Sequence, residues 1–92
     1  MDYVVRPLPS VTALLASAER SVQNEFQRLL AIVAMNPFPS PQFPLITEDT
    51  AADGSRFFTY SDDRFPYAIQ FVVFEPDREN LGLIVVIDLM PC

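Results

Sequence analysis

The feature that most constrains this chain is a change of hydrophobic period near its middle. Between residues 11 and 33 apolar positions recur at Val11, Leu14, Leu15, Ala18, Val22, Phe26, Leu29, Leu30 and Val33. Steps of three and four set them on one helical face. Glu19, Arg20, Gln23, Asn24, Gln27 and Arg28 fall on the other. From residue 56 onward the period is two, and residues 56–60, 67–74 and 83–89 each read as a strand. The last two runs are apolar on both faces, as buried interior strands are. The short connections at 61–64 and 75–80 make sequence neighbours antiparallel. A chain patterned this way is an α+β domain, a helical N-terminal half packed on a three-stranded antiparallel β-meander.

The flanking signals complete the layout. Tyr3-Val4-Val5 is a short β-like run stopped by Arg6-Pro7-Leu8-Pro9, and its prolines suit an edge strand. Ser10 is a candidate N-cap. Asn36-Pro37 ends the helical phase, because proline pushes the residue before it out of the helical region. A continuous phase from 11 to 35 suits one long helix. A helical hairpin is the alternative, with Ser21 capping a second helix after a Glu19-Arg20 turn. No Gly or Pro marks that turn, so both arrangements stand. Residues 37–44 read as a rigid connector whose Phe38 and Phe43 plug the core edge, in preference to an exposed polyproline ligand. Residues 48–55 read as an acidic, polar loop closing on the Asp53-Gly54 turn signal.

Composition bounds the function classes. Ninety-two residues make one domain, 1–92, which buries roughly 60–65% of its unfolded surface. With half the residues hydrophobic, eight of them Phe and three Tyr, the chain has material for a core and is not a disordered segment. Six Arg, no Lys and no His stand against twelve Asp and Glu, a net charge of −6. The arginines are scattered at 6, 20, 28, 56, 64 and 78, so no basic patch suits nucleic acid, and a basic protein segment is the better match. Lacking His removes the usual near-neutral base and the commonest metal ligand. No metal or cofactor is expected, and the Asp-rich loops read as solvated charge rather than a hard-cation site. Cys92 is the single cysteine, which excludes an internal disulfide and reads as an exposed thiol in a reducing compartment. No run reaches membrane-span length, and Met1-Asp2-Tyr3 does not open a basic, apolar leader. The expected location is the cytoplasm.

Two stretches carry a family resemblance. Ser21-Val22-Gln23-Asn24-Glu25-Phe26-Gln27-Arg28-Leu29-Leu30, closing at Asn36-Pro37, is similar to the second helix of RelE-like toxins. In those toxins a Ser-led helix turns Phe and Leu inward and ends at a proline. Phe65-Pro66-Tyr67-Ala68-Ile69-Gln70-Phe71-Val72-Val73 is similar to the family's central strand, commonly Tyr-Arg-Ile/Val-x-Tyr-x-Val. Together with the element order, these make nearly the whole chain resemble the RelE/ParE toxin family of toxin–antitoxin systems. The resemblance implies a short N-terminal strand, a helical hairpin and a three-stranded meander. It also implies an antitoxin-like partner whose extended or helical tail wraps the helices and sheet.

The family's chemistry is thinly represented. RelE-type members cut messenger RNA on the ribosome with basic residues and a C-terminal Arg/Tyr set. Here Ala68 stands where arginine usually follows the central-strand tyrosine, while Arg56 stands where a basic strand residue is expected. Asp88-Leu89-Met90-Pro91-Cys92 stands where the family continues into its catalytic arginine. ParE-type members act on gyrase by protein contacts, and their C-terminal arginine-bearing segment has no counterpart either. The expectation is a diverged or non-catalytic toxin-like protein that binds an antitoxin-like segment or a second copy of itself. The alternatives are a weak mRNA-cleaving ribonuclease and a small structural adaptor using residues 37–44.

For the ribonuclease the candidates are Arg56, Tyr60, Arg64 and Tyr67. Converging at one sheet edge they would form an anion site, because guanidinium forks match phosphate and stabilise charge developing on it. The other reading pairs Arg56 and Arg64 with Asp62, Asp63 or Glu75 across the meander and leaves Tyr67 in the core with a wet hydroxyl. Asp88, inside an apolar strand, is the oddest single residue, and is expected to pair with Arg or lie at a frayed strand end. Glu75, Asp77 and Glu79 read as a solvated hairpin tip.

Overall fold

A computed structural model describes residues 3–39 and 45–91. The elements are β1 (Tyr3–Pro7), α1 (Pro9–Ala16), α2 (Arg20–Met35), β2 (Ile46–Thr50), β3 (Arg56–Tyr60), β4 (Tyr67–Phe74) and β5 (Gly82–Pro91). The fold is α+β, two helices with a five-stranded mixed sheet in the order β1-β5-β4-β3-β2. Strands β2 to β5 run antiparallel to their neighbours, and β1 joins β5 in parallel. The N-terminal strand is an edge strand, as its prolines suggest.

The expected three-stranded meander is one strand short. Residues 46–50 form β2, where the sequence reads as an acidic loop. As the other edge of the sheet, this strand buries only Ile46, and its remaining four residues are exposed. Polar side chains are therefore tolerated there, and they mask the strand pattern. The Asp53-Gly54 turn joins β2 to β3, with Gly54 at φ 89°, a conformation that favours glycine. The Asp53 carboxylate accepts from the Ser55 amide at 2.9 Å, and the Ala51 amide donates to the Ser55 carbonyl at 2.8 Å.

The helical half is a hairpin. Pro9 occupies the first turn of α1 with Leu8 at the N-cap, where proline's fixed φ and missing N–H fit. Ser10 therefore lies inside the helix rather than capping it. The break after Ala16 needs no Gly, because a side chain satisfies its carbonyls. Gln23 Nε2 donates to Leu15 O at 2.9 Å and Ala18 O at 3.1 Å, and Ser17 Oγ donates to Leu14 O at 2.9 Å. Helix α2 starts at Arg20 with Glu19 at the N-cap, so Ser21 is inside its first turn.

Both helices cover one face of the sheet. Val11, Leu15, Phe26, Leu29, Leu30 and Val33 form one buried cluster with Ile46, Phe58, Tyr60, Ile69, Phe71, Ile84 and Val86. Phe38 closes an edge of this core, its ring 6.4 Å from Tyr3 and 5.6 Å from Phe58. The expected second plug, Phe43, lies outside the described residues, as does Cys92. Gly82 is buried beneath the Tyr3 ring, where a Cβ would come within 2.5 Å of a ring carbon. The side chains that alternate with the buried set point to the opposite face, and no described helix packs there. They include Val4, Leu83, Val85, Val72 and Phe57, all only half-buried. Interior position in the sheet thus brings cover on one side, not the two that the apolar runs of β4 and β5 suggest.

A bulge in β5 decides which residues face the helices. Gln70 is paired with Asp88 and Phe71 with Val86, so Ile87 is an extra residue. It shifts the alternation by one. Leu89 turns inward to the core and Asp88 outward to solvent. Asp88 is therefore neither paired with Arg nor at the strand end, and its carboxylate accepts from the Leu89 amide at 2.9 Å.

Candidate functional site

The four residues singled out from the sequence divide between two ends of the sheet. Arg56 opens β3 opposite Thr50 of β2, and Tyr60 closes the same strand opposite Ile46. An extended run of this length separates their backbones by about 13 Å. Arg56 and the other three do not form one anion site.

At its end, Arg56 is already matched. Its Nε donates to Glu48 Oε1 at 2.5 Å, and its guanidinium lies 5.8 Å from the centre of the Phe58 ring. The hydrogen bond from Arg56 holds the Glu48 carboxyl below the ordinary range, and the same bond raises Arg56. The partner is neither Asp62, Asp63 nor Glu75. It comes from β2, the strand hidden in an acidic stretch.

At the other end, Tyr60 has a buried ring and donates its hydroxyl to Asp62 Oδ2 at 3.1 Å. Burial, then the Asp62 hydrogen bond, pushes its pKa up to about 12. A phenol held protonated this firmly is no base at neutral pH. Asp62 also accepts the Arg64 backbone amide at 3.0 Å, so Arg64 meets that carboxylate through its main chain. Among the described residues the Arg64 guanidinium forms no ion pair. It lines a shallow cleft with Ser21, Val22, Glu25, Arg28, Phe65 and Pro66. Arg28 in that cleft is paired with Glu25, one turn away on α2. Tyr67 is half-buried, its ring 5.8 Å from Phe65, which stacks on Phe26 at 6.3 Å. Tyr60, Arg64 and Tyr67 thus surround the turn after β3 beside α2, with one free cation among them.

A second shallow groove, largely apolar, runs between α2 and β1. It is lined by Tyr3, Val4, Val5, Gln27, Leu30, Ala31 and Ala34, with Arg6 as a cation at its side. The small residues Ala31 and Ala34 open it. Beside it runs the outer edge of β1, which no other described strand pairs. The sequence signal for this groove was faint, two alanines on a helix face otherwise filled by Leu, Val and Phe.

The acidic loops remain solvated. Asp77 accepts the amides of Glu79 and Asn80, both at 2.8 Å, and these hold its carboxyl below the usual range. Among the described residues no three carboxylate or thiol groups come together as a metal site, and no helix is long and apolar enough to cross a membrane. No family model, curated protein or solved structure matches the chain.

Proposed function

We propose that this chain is a diverged RelE/ParE-like protein that works by binding an antitoxin-like segment of another protein, without the family's RNA cleavage. The reading draws support from the order of strand, helical hairpin and antiparallel strands. The observation that carries it is the groove between β1 and α2, which adjoins an open strand edge. An extended segment adds to such an edge through main-chain hydrogen bonds and sets apolar side chains into the groove. A net charge of −6 favours a basic segment.

Catalysis is disfavoured by the state of the candidate groups. Arg56 is neutralised by Glu48, and Tyr60 is committed to Asp62 as a buried, protonated phenol. Tyr60 is therefore no base for a 2′-OH, and Arg56 would have to leave Glu48 to reach a scissile phosphate.

Two experiments test the reading. Co-expression with the product of the adjacent gene is expected to give a stable complex that Ala31→Arg, which fills the groove, disrupts. A complex indifferent to that substitution overturns the proposed site. Induced expression of the chain alone is expected to leave growth unaffected. Growth arrest abolished by Arg56→Ala would instead support the ribonuclease.

A further inference from the structure

The open face of the sheet carries a row of side chains that is complementary to itself. Arg6 is registered with Val85, Val85 with Val72, and Asp49 with Phe57. Continuing the β3–β4 register by one residue sets Phe57 beside Val72. One row therefore crosses the whole sheet as Arg6, Val85, Val72, Phe57, Asp49. It has a cation at one edge, an anion at the other, and apolar residues between. Arg6 and Asp49 are exposed, and neither forms an ion pair among the described residues. Val72 lies on β4, the central strand of the five.

We infer that a second copy of this chain stacks on this face, about a two-fold axis parallel to β4. That operation lays β1 of one copy over β2 of the other. Arg6 then meets Asp49 twice, once at each edge, while Val72 meets Val72 on the axis and Val85 meets Phe57. Packed sheets lie about 10 Å apart, a gap that an arginine and an aspartate reaching toward each other span. Turning the axis across the strands would set Arg6 on Arg6 and Asp49 on Asp49, which like-charge repulsion opposes. The adjacent row, Val4, Leu83 and the exposed Phe74, extends the apolar contact.

The area fits a weak, transient dimer. Three rows about 6.8 Å apart lie on strands about 4.8 Å apart: five residues from Arg6 to Asp49, three from Val4 to Phe74, and the polar Asp88, Gln70, Thr59 and Thr47. They give roughly 400 Å² per copy. A total of about 800 Å² belongs with weak, transient contacts, and the expected dissociation constant is micromolar or weaker. Most of the chain's acidic excess lies elsewhere, in the loops around 53, 62 and 77. Arg6 and Val4 also line the groove of the toxin-like reading, whereas Asp49 lies at the opposite edge of the sheet, so Asp49→Arg separates the two proposals.

Sedimentation equilibrium of the purified chain tests it, with circular dichroism to confirm that each variant is folded. Wild type is expected to dimerise reversibly. Arg6→Asp and Asp49→Arg each turn two attractive contacts repulsive and are expected to weaken the dimer about tenfold or more. An equimolar mixture of the two single variants is expected to recover it as a heterodimer, because an all-acidic edge pair then meets an all-basic one. A chain monomeric to several hundred micromolar overturns the inference, as does a dimer that neither variant weakens or a mixture that shows no recovery.

Discussion

Phe71 and Val72 are neighbours on the same strand, yet they belong to different environments. Phe71 is fully buried, stacked 5.6 Å from Phe58 beneath the helices. Val72 points the other way, toward a face that no described helix covers, and is half-buried only by its own neighbours in the sheet. Along β4 and β5 valine, leucine and phenylalanine stand on both faces, so an apolar residue by itself does not mark the covered side. What separates the faces is coverage: the two described helices both lie on the same side. An apolar face without cover is a binding surface in waiting, whereas an apolar face with cover is stability.

The sharpest way to break this comparison is to exchange the faces. Exchanging the residues at 88 and 89 (Asp88→Leu with Leu89→Asp) sets a carboxylate toward the helices and a leucine outward, and is expected to unfold the domain, since an unpaired carboxylate in the core costs several kcal/mol. Retention of a cooperative urea transition near the wild-type midpoint would show that position 89 is not covered by the helices. A smaller but graded contrast comes from truncation. Phe71→Ala is expected to lose about 3–5 kcal/mol through the cavity it leaves, and Val72→Ala less than about 1 kcal/mol. Gly82→Ala should cost about 1–3 kcal/mol in the same assay, because its methyl group displaces the Tyr3 ring.

The mildest change acts through pH. Tyr60→Phe removes the hydrogen bond to Asp62 and is expected to cost about 0.5–1.5 kcal/mol at neutral pH. The folded Tyr60 holds its proton up to about 12, against about 10 when unfolded. Its raised pKa therefore favours the native state fully below pH 10, and that contribution is lost as pH rises toward 12. Unfolding midpoints measured from pH 9 upward should fall more steeply for wild type than for Tyr60→Phe.

Much of the covered face is legible in the sequence. The three-four spacing from Val11 to Val33 includes the buried Val11, Leu15, Phe26, Leu29, Leu30 and Val33 but misses Ala34, and the runs 56–60 and 67–74 coincide with strands β3 and β4. What escapes is set by distant partners. Ile46–Thr50 looks like a loop because an edge strand has little to bury, although Thr50 and Arg56 flank a turn with glycine at positive φ. The hairpin break is invisible to Gly and Pro counting, because Gln23, from the second helix, satisfies the end of the first. Asp88 reads as an anomaly only until the Ile87 bulge is known.

The candidate site fails for the same reason. Arg56, Tyr60, Arg64 and Tyr67 are close in sequence, but an extended strand carries the first of them away from the rest. The ion pair that occupies Arg56 depends on a strand the pattern conceals. Surfaces are harder to read than cores, because period identifies an apolar face without saying whether anything covers it.

The most direct test of the account is the stability of Val72→Asp in dilute solution, where self-association is negligible, set beside Phe71→Asp. Val72→Asp is expected to remain folded, within about 2 kcal/mol of wild type by urea unfolding, because its carboxylate enters water. Phe71→Asp is expected to be unfolded. A dilute Val72→Asp chain that is also unfolded would mean that this face is covered from within, and the division between the two faces would not stand.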